Sequence, residues 1–221
     1  MSILGIDTST AASSACAVRD DGEAFEIAAR PERLATRPAH ARELMPAVAD
    51  VMQRAGLAYE DLDAIAVGVG PGTFTGLRIG LATARALANT AGLTLRRVSS
   101  LAALAAGIEA RRRLALIDAK RGELFAALYE DADELCAPFV ASPEEVAARV
   151  RESGGRPLAA GDGSVRFREV LEDAGVRVAP DGSSAHVVRA LHVCRLASGA
   201  PGEPPGVVVP DYLRAPDAKP Q

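Results

Sequence analysis

Apolar positions in the first hundred residues fall into short runs broken by polar turns. ILGI at 3–6 is apolar throughout and ends at Asp7. The polar stretch TSTAASS at 8–14 leads into ACAVR, which predicts a second strand. Asp20-Asp21-Gly22 is a turn signal, and EAFEIAA at 23–29 alternates well enough to pair with the strand before it. The chain is therefore expected to open with antiparallel strands. Leu44, Val48, Val51 and Ala55 lie at helical spacing and predict a helix over roughly 40–55. Pro46 requires that helix to start near it or to kink, and Gly56 is a good terminator. AIAVGVG at 64–70 does not alternate, which predicts a strand buried on both faces. GPGTFTG follows, then a helix over about 76–91 stopped by Gly92. LRRVSS at 95–100 reads as a strand leading into a helix, LAALAAGIEA, that Ser99 or Ser100 caps.

The pattern then restarts. LALID at 114–118 is again an apolar run ending in Asp, a turn follows at Lys120-Arg121-Gly122, and ELFAALYE is strand-like. Ser142, Pro143 and Glu145 make a helix start with a capping box. PLAAGDG at 157–163 predicts a strand and a tight loop, with helices expected over 165–173 and 184–198. The tail from Ala200 is rich in Pro and Gly, so it reads as extended, with VVV and YLR able to dock on the body. Two units thus share one order of elements. The expected fold class is α/β, as two domains of duplicated topology over 1–105 and 106–221, each a mixed sheet flanked by helices.

Composition narrows this picture. A chain of 221 residues buries about two-thirds of its unfolded surface, and 48% apolar content is enough for a packed core. Trp is absent and aromatics are few, so alanine must fill much of the interior. The net charge of −4 argues against unaided nucleic-acid binding. Three widely spaced cysteines, Cys16, Cys136 and Cys194, form neither a metal pattern nor a disulfide framework, which fits a reducing compartment. No signal peptide or membrane span is visible, so the expected location is cytoplasmic.

Candidate chemistry sits at the loops. Gly70, Gly72 and Gly76 permit close backbone approach, and Thr73 or Thr75 can cap the next helix, whose amino end could hold an anion. The Gly-Lys-Ser/Thr ending of a P-loop is missing, so a tight strand–helix connection with Phe74 packed inward stands equally beside a ligand or partner role. Asp7 followed by Thr8 could orient phosphate oxygens or magnesium, or could merely close an Asx-type turn. Asp118 occupies the matching point of the second unit, and Gly161 and Gly163 flank an acidic loop that could touch a nucleotide. His40, His186 and His192 make no zinc motif, and no nucleophile elbow occurs, so neither a catalytic nor a metal-binding set is assigned.

Seven segments together resemble the TsaB (YeaZ) family. They are ILGIDTST at 3–10, His40 before ELMP, VGVGPGTFTGLRIG at 67–80, VSSLAALA at 98–105, LIDAKRGELFAALY at 116–129, GDG at 161–163 and PDYLR at 210–214. The family often has Ser at the position of Thr73, and Ser is common at that of Ala41. The resemblance implies a fold like that of actin, hexokinase and Hsp70 ATPases (the ASKHA fold). It also implies an accessory, non-catalytic subunit of the assembly that transfers threonylcarbamoyl to adenosine 37 of tRNAs reading A-starting codons. The implied partners are the catalytic subunit TsaD, the ATPase subunit TsaE, tRNA through the complex, and a second copy of the chain when alone. The metal-binding histidine pair of the catalytic relative is missing here. No tightly bound cofactor is implied, with ATP and magnesium entering only in the complex; Asp7, Thr8, Asp118, Gly161 and Gly163 would line any nucleotide cleft. The partner surface is expected on the two helices beside GPGTFTG, at His40, Leu44, Gly72, Thr73, Phe74, Leu77, Gly80, Leu81 and Ala84, unless that stripe merely covers the sheet. A nucleotide-dependent phosphotransferase or ATPase of the same fold is the alternative.

Overall fold

The computed structural model describes residues 1–214; the end of the tail, 215–221, lies outside the described residues. The first sheet contains β1 (Ile3–Asp7), β2 (Ser14–Val18), β3 (Ala24–Ile27), β4 (Ala64–Gly70) and β5 (Thr94–Ser99), in the spatial order β3-β2-β1-β4-β5. The opening strands pair antiparallel, whereas β1, β4 and β5 run parallel. Helices α1 (His40–Ala55) and α2 (Phe74–Ala91) cross over between the parallel strands. Leu44, Val48, Val51, Leu81 and Ala84 from these helices pack with Leu4, Ile6, Ile65 and Val67 of the sheet. Strand alternation sends Ile3 to the opposite face, into a second core with Leu101, Leu104, Val193 and Cys194.

After α3 (Ser100–Ala106) the same plan recurs. Strands β6 (Arg112–Lys120), β7 (Glu123–Glu130) and β8 (Asp133–Ala141) form an antiparallel meander, followed by α4 (Pro143–Glu152) and β9 (Leu158–Ala160). Helices α5 (Asp162–Arg166) and α6 (Arg168–Asp173), strand β10 (Arg177–Val178) and α7 (Ala190–Ala197) complete it. The order β10-β9-β6-β7-β8 repeats the first sheet element for element. This is the duplicated α/β fold expected from the resemblance. Helix α3 packs on β6 and β7, and α7 crosses back onto β1 and β2. One core, holding Ile3, Cys16, Leu101, Ile117, Phe125 and Val193, therefore joins the two sheets.

Several elements differ from expectation. Helix α1 starts at His40 and runs through Pro46, which is exposed in its second turn. Helix α3 ends at Gly107, short of the expected extent, because the next residues turn into β6. The helix expected over 165–173 breaks at Phe167, and that over 184–198 shrinks to a 3-10 turn at Ser184–His186 followed by α7. Val187 and Val188 are buried, and β-branched residues favour the extended chain seen at Val187. Strand β8 has no counterpart in the sequence reading. It is the sheet edge, where Pro138 is tolerated because no ladder donor is needed on the open side. The tail docks as expected: Val208 is fully buried in the first core, and the Asp211 amide donates to the Val69 carbonyl at 2.8 Å.

Candidate functional site

The loop GPGTFTG locks onto the turn that follows β1. The Thr73 amide donates to the Ser9 carbonyl at 2.7 Å, and the Thr8 hydroxyl donates to the Gly76 carbonyl at 2.7 Å. The glycines make this contact sterically possible. A Cβ on Gly72 would lie 2.4 Å from the Ser9 carbonyl oxygen, one on Gly76 2.0 Å from that of Thr8, and one on Gly80 2.3 Å from Thr8 Oγ1. Phe74 is not packed inward; it is exposed, its ring 5.3 Å from that of Tyr212, with the Arg78 guanidinium 3.7 Å above it.

Asp7 stands at the centre of this lock and is buried. One carboxylate oxygen accepts from the Ser9 amide at 2.8 Å and the Ser9 hydroxyl at 2.6 Å, which is an Asx-type turn. The other accepts from the Ser100 hydroxyl at 2.7 Å, so Asp7 ties β1 to the start of α3. Burial raises its pKa above the usual carboxylate range, with the hydrogen bonds from Ser9 and Ser100 working against the rise. Thr8 is buried as well, under α2.

Asp118, at the end of β6, faces the cleft between the two sheets. Its Oδ2 receives Lys120 Nζ and an Arg166 guanidinium nitrogen, each at 2.7 Å, and its Oδ1 receives the Lys120 amide at 2.8 Å. Burial pushes its pKa up, but the hydrogen bonds from Lys120 and Arg166 outweigh this and hold it below the ordinary value. The Asp162 carboxylate accepts from the Asp118 amide at 3.0 Å; burial, reinforced by the nearby Asp118 charge, pushes its pKa up to about 6. Lys120 and Arg121 both have positive φ, at 62° and 55°, and Gly122 at 81° completes the hairpin turn that brings Lys120 back to Asp118. A cleft of about 560 Å³ opens beside Asp118, Lys120, Asp162, Arg166 and Thr73.

Of the residues expected at a nucleotide cleft, the structure brings Asp118 to it and places Asp7 and Thr8 in the lock between β1, α2 and α3. Gly161 and Gly163 are buried and serve packing. A Cβ on Gly161 would lie 1.9 Å from the Leu116 carbonyl oxygen, and one on Gly163 2.5 Å from Leu124. Sequence reasoning did not single out Arg166, because its pairing with Asp118 spans 48 positions. Among the described residues, no group of three His, Cys, Asp or Glu side chains could hold a metal ion, and no helix is long and apolar enough to cross a membrane.

The expected partner stripe needs correcting. Leu44, Leu77, Gly80, Leu81 and Ala84 are buried within the chain's own core, so they cover the sheet and offer no surface. His40 is buried too, with Nδ1 2.8 Å from the Ser13 hydroxyl. Burial lowers its pKa, partly opposed by Glu43 and the Thr10 carbonyl. Only Phe74 is exposed, with Gly72 and Thr73 half-buried. The outer side of the same helices instead carries a groove of about 490 Å³ lined by Met45, Tyr59, Thr83, Ala86, Leu87 and Thr90, among others. Met45 is 44% exposed there. The signal for this groove was available: between Arg78 and Ala91 the only charge is Arg85, so the outer face of α2 is unusually uncharged.

The family model described as TsaD, tRNA N6-adenosine threonylcarbamoyltransferase, matches residues 30–181. A Mycobacterium leprae protein of uncharacterised function is 35% identical over 99% of this chain, which spans 56% of that protein's length. The Escherichia coli tRNA threonylcarbamoyladenosine biosynthesis protein TsaB is 35% identical over 80% of this chain and 78% of its own length. The solved structure of YeaZ from Pseudomonas aeruginosa is similar, with a TM-score of 0.78 and 28% identity over 96% of this chain and 99% of that one.

Proposed function

The chain belongs to the TsaB (YeaZ) family of tRNA threonylcarbamoyladenosine biosynthesis proteins, and on that premise we propose that it is a scaffold subunit that holds a threonylcarbamoyltransferase partner in its active form. The observation that carries this reading is the apolar groove between α1 and α2, with Met45 and Leu87 at its wall and, among the described residues, no charged side chain except Glu60. An unpaired groove of this kind suits the helices of a larger subunit, and the duplicated fold suits a TsaD-type catalytic partner. The ATPase TsaE and tRNA join through that assembly.

The state of the two strand-end carboxylates supports a supporting role rather than a reacting one. Asp7 accepts three hydrogen bonds from Ser9 and Ser100, and Asp118 accepts three from Lys120 and Arg166, so both carboxylates are engaged in holding the fold together. The test is transfer of threonylcarbamoyl to tRNA by the catalytic subunit, with and without this chain. Strong dependence on the chain is expected; equal rates in its absence would end the scaffold reading.

A second reading, a nucleotide-dependent phosphotransferase or ATPase, draws on the cleft that holds Lys120 and Arg166. ATP turnover by the purified chain alone distinguishes the two. ATP and magnesium enter the scaffold reading only through the assembled complex.

A further inference from the structure

We propose that the pocket at the amino end of α2, bounded by Arg37, His40, Thr73 and Thr75, is a binding site for a phosphate group. The site is separate from the α1–α2 groove and does not depend on the partner role.

The argument starts from the helix end. Helix α2 is 18 residues long and has no acidic side chain in its first turn. Thr73 occupies the N-cap position, yet its side chain makes no capping bond. The Thr73 amide is taken by the Ser9 carbonyl. The amides of Phe74, Thr75 and Gly76 have no acceptor within the helix, because the first four N–H groups of any helix lack one. They leave a concentrated positive end where an anion is favoured.

The second observation is His40. Only 3% of it is exposed, and its Nε2 has no hydrogen-bond partner among the described residues. An orphaned polar atom at such depth costs free energy unless a ligand meets it. Nδ1 lies 2.8 Å from the Ser13 hydroxyl, and an anion at Nε2 would select the ring form that carries Nε2–H as its donor. Thr73 Oγ1 is a second buried polar atom without a partner. Both border Gly76: a Cβ there would lie 2.5 Å from Thr73 Oγ1 and 3.2 Å from His40 Nε2. The pocket lined by Arg37, Pro38, His40, Thr73, Thr75 and Gly76 measures about 700 Å³. Arg37 is exposed at its rim and forms no ion pair among the described residues.

The charges around the ring leave room for an anion. Glu43, the carboxylate that acts on His40, is itself held by Arg33. The Thr8 and Thr10 carbonyls lie close by, and neither satisfies Nε2. Donor-bearing residues therefore border the pocket on three sides: Thr75 and Gly76 at the start of α2, the His40 ring, and Arg37 at the rim. A tetrahedral oxyanion can use all three, whereas a carboxylate presents two oxygens in one plane. The shared chemistry is a phosphate group, either the free ion or a phosphate monoester.

The experiment is a titration of the full chain with inorganic phosphate and, separately, methyl phosphate, at constant ionic strength, followed by 15N NMR. Saturable shifts are expected at the amides of Phe74, Thr75 and Gly76 and at the His40 ring nitrogens. The tighter of the two probes identifies the free ion or the ester as the source. Arg37→Ala and Thr75→Val, both at exposed positions, should each weaken binding about tenfold, the loss expected for one charge-assisted hydrogen bond. Absence of saturable shifts with both probes, or shifts indifferent to both substitutions, would overturn the site.

Discussion

Gly80 is the position where one added carbon would strike the Thr8 side chain itself. A Cβ there would stand 2.3 Å from Thr8 Oγ1. Gly80→Ala should therefore cost about 1–3 kcal/mol, the usual range for overpacking, measured by urea unfolding. Removing the hydroxyl with Thr8→Ala should recover part of that loss in the double variant; strict additivity would contradict the contact. The glycine spacing in GPGTFTGLRIG was legible as a demand for close backbone approach. What it approaches was not, because Thr8 lies 68 residues from its partner Gly76 and nothing local points to it. Asp162 provides a test by pH. Its native pKa of about 6 lies above the unfolded value of about 3.9, so the native state binds the proton more tightly. The stabilisation from this group is complete below about pH 4 and lost as pH rises through 6. Asp162→Asn keeps an oxygen to accept the Asp118 amide but removes the charge. The variant should melt higher than the parent at pH 8, with the gap closing toward pH 4; a constant gap would show that burial of the charge is not the cause. Asp118 has the opposite sign, since its stabilisation is present above the unfolded carboxylate pKa and fades as pH falls through its lowered native value.

Elements with strong local signals were the ones legible from sequence. The start of α4 is one: the Ser142 hydroxyl accepts from the Glu145 amide at 3.2 Å, and Glu145 returns to the Ser142 amide at 3.0 Å. Ser142→Ala should cost about 1 kcal/mol, read as a lower thermal midpoint. No loss would mean that α4 is held by its buried Val146, Ala147 and Val150 alone. The apolar run at β4 and the stop at Gly92 were equally readable. Edge strand β8 was not, since Pro138 and the charged DADE segment break the alternation that identifies a strand. The split of the last helix was also hidden: His186 is fixed by the Gly161 amide at 3.1 Å, a contact across 25 positions that overrides local helical spacing. For α1 and α2 the helical stripe was identified as apolar, and its burial favours the alternative that it covers the sheet. Those residues form the core, and the docking face proposed above is the weaker stripe beside them.

At the scale of the molecule, two copies of one five-stranded plan are joined by α3 and α7, with the Asp118 cleft between the sheets and the groove on the outer side of the first helices. The order of elements in each half was legible because each begins with an apolar run ending in Asp. That α7 returns to the first sheet was not, since only tertiary packing decides it. The central claim is that the α1–α2 groove receives a catalytic subunit. It is tested most directly by light-scattering mass of the chain mixed with a TsaD-type threonylcarbamoyltransferase, for the parent and for Ala86→Arg. Ala86 is exposed on α2 within the groove, and Arg is a good helix former, so the variant should fold as the parent does. A stable mixed complex for the parent, weakened tenfold or more in the variant while its own melting is unchanged, is the predicted result. A complex of equal strength with both proteins would move the interface elsewhere, and no complex with either would contradict the scaffold role.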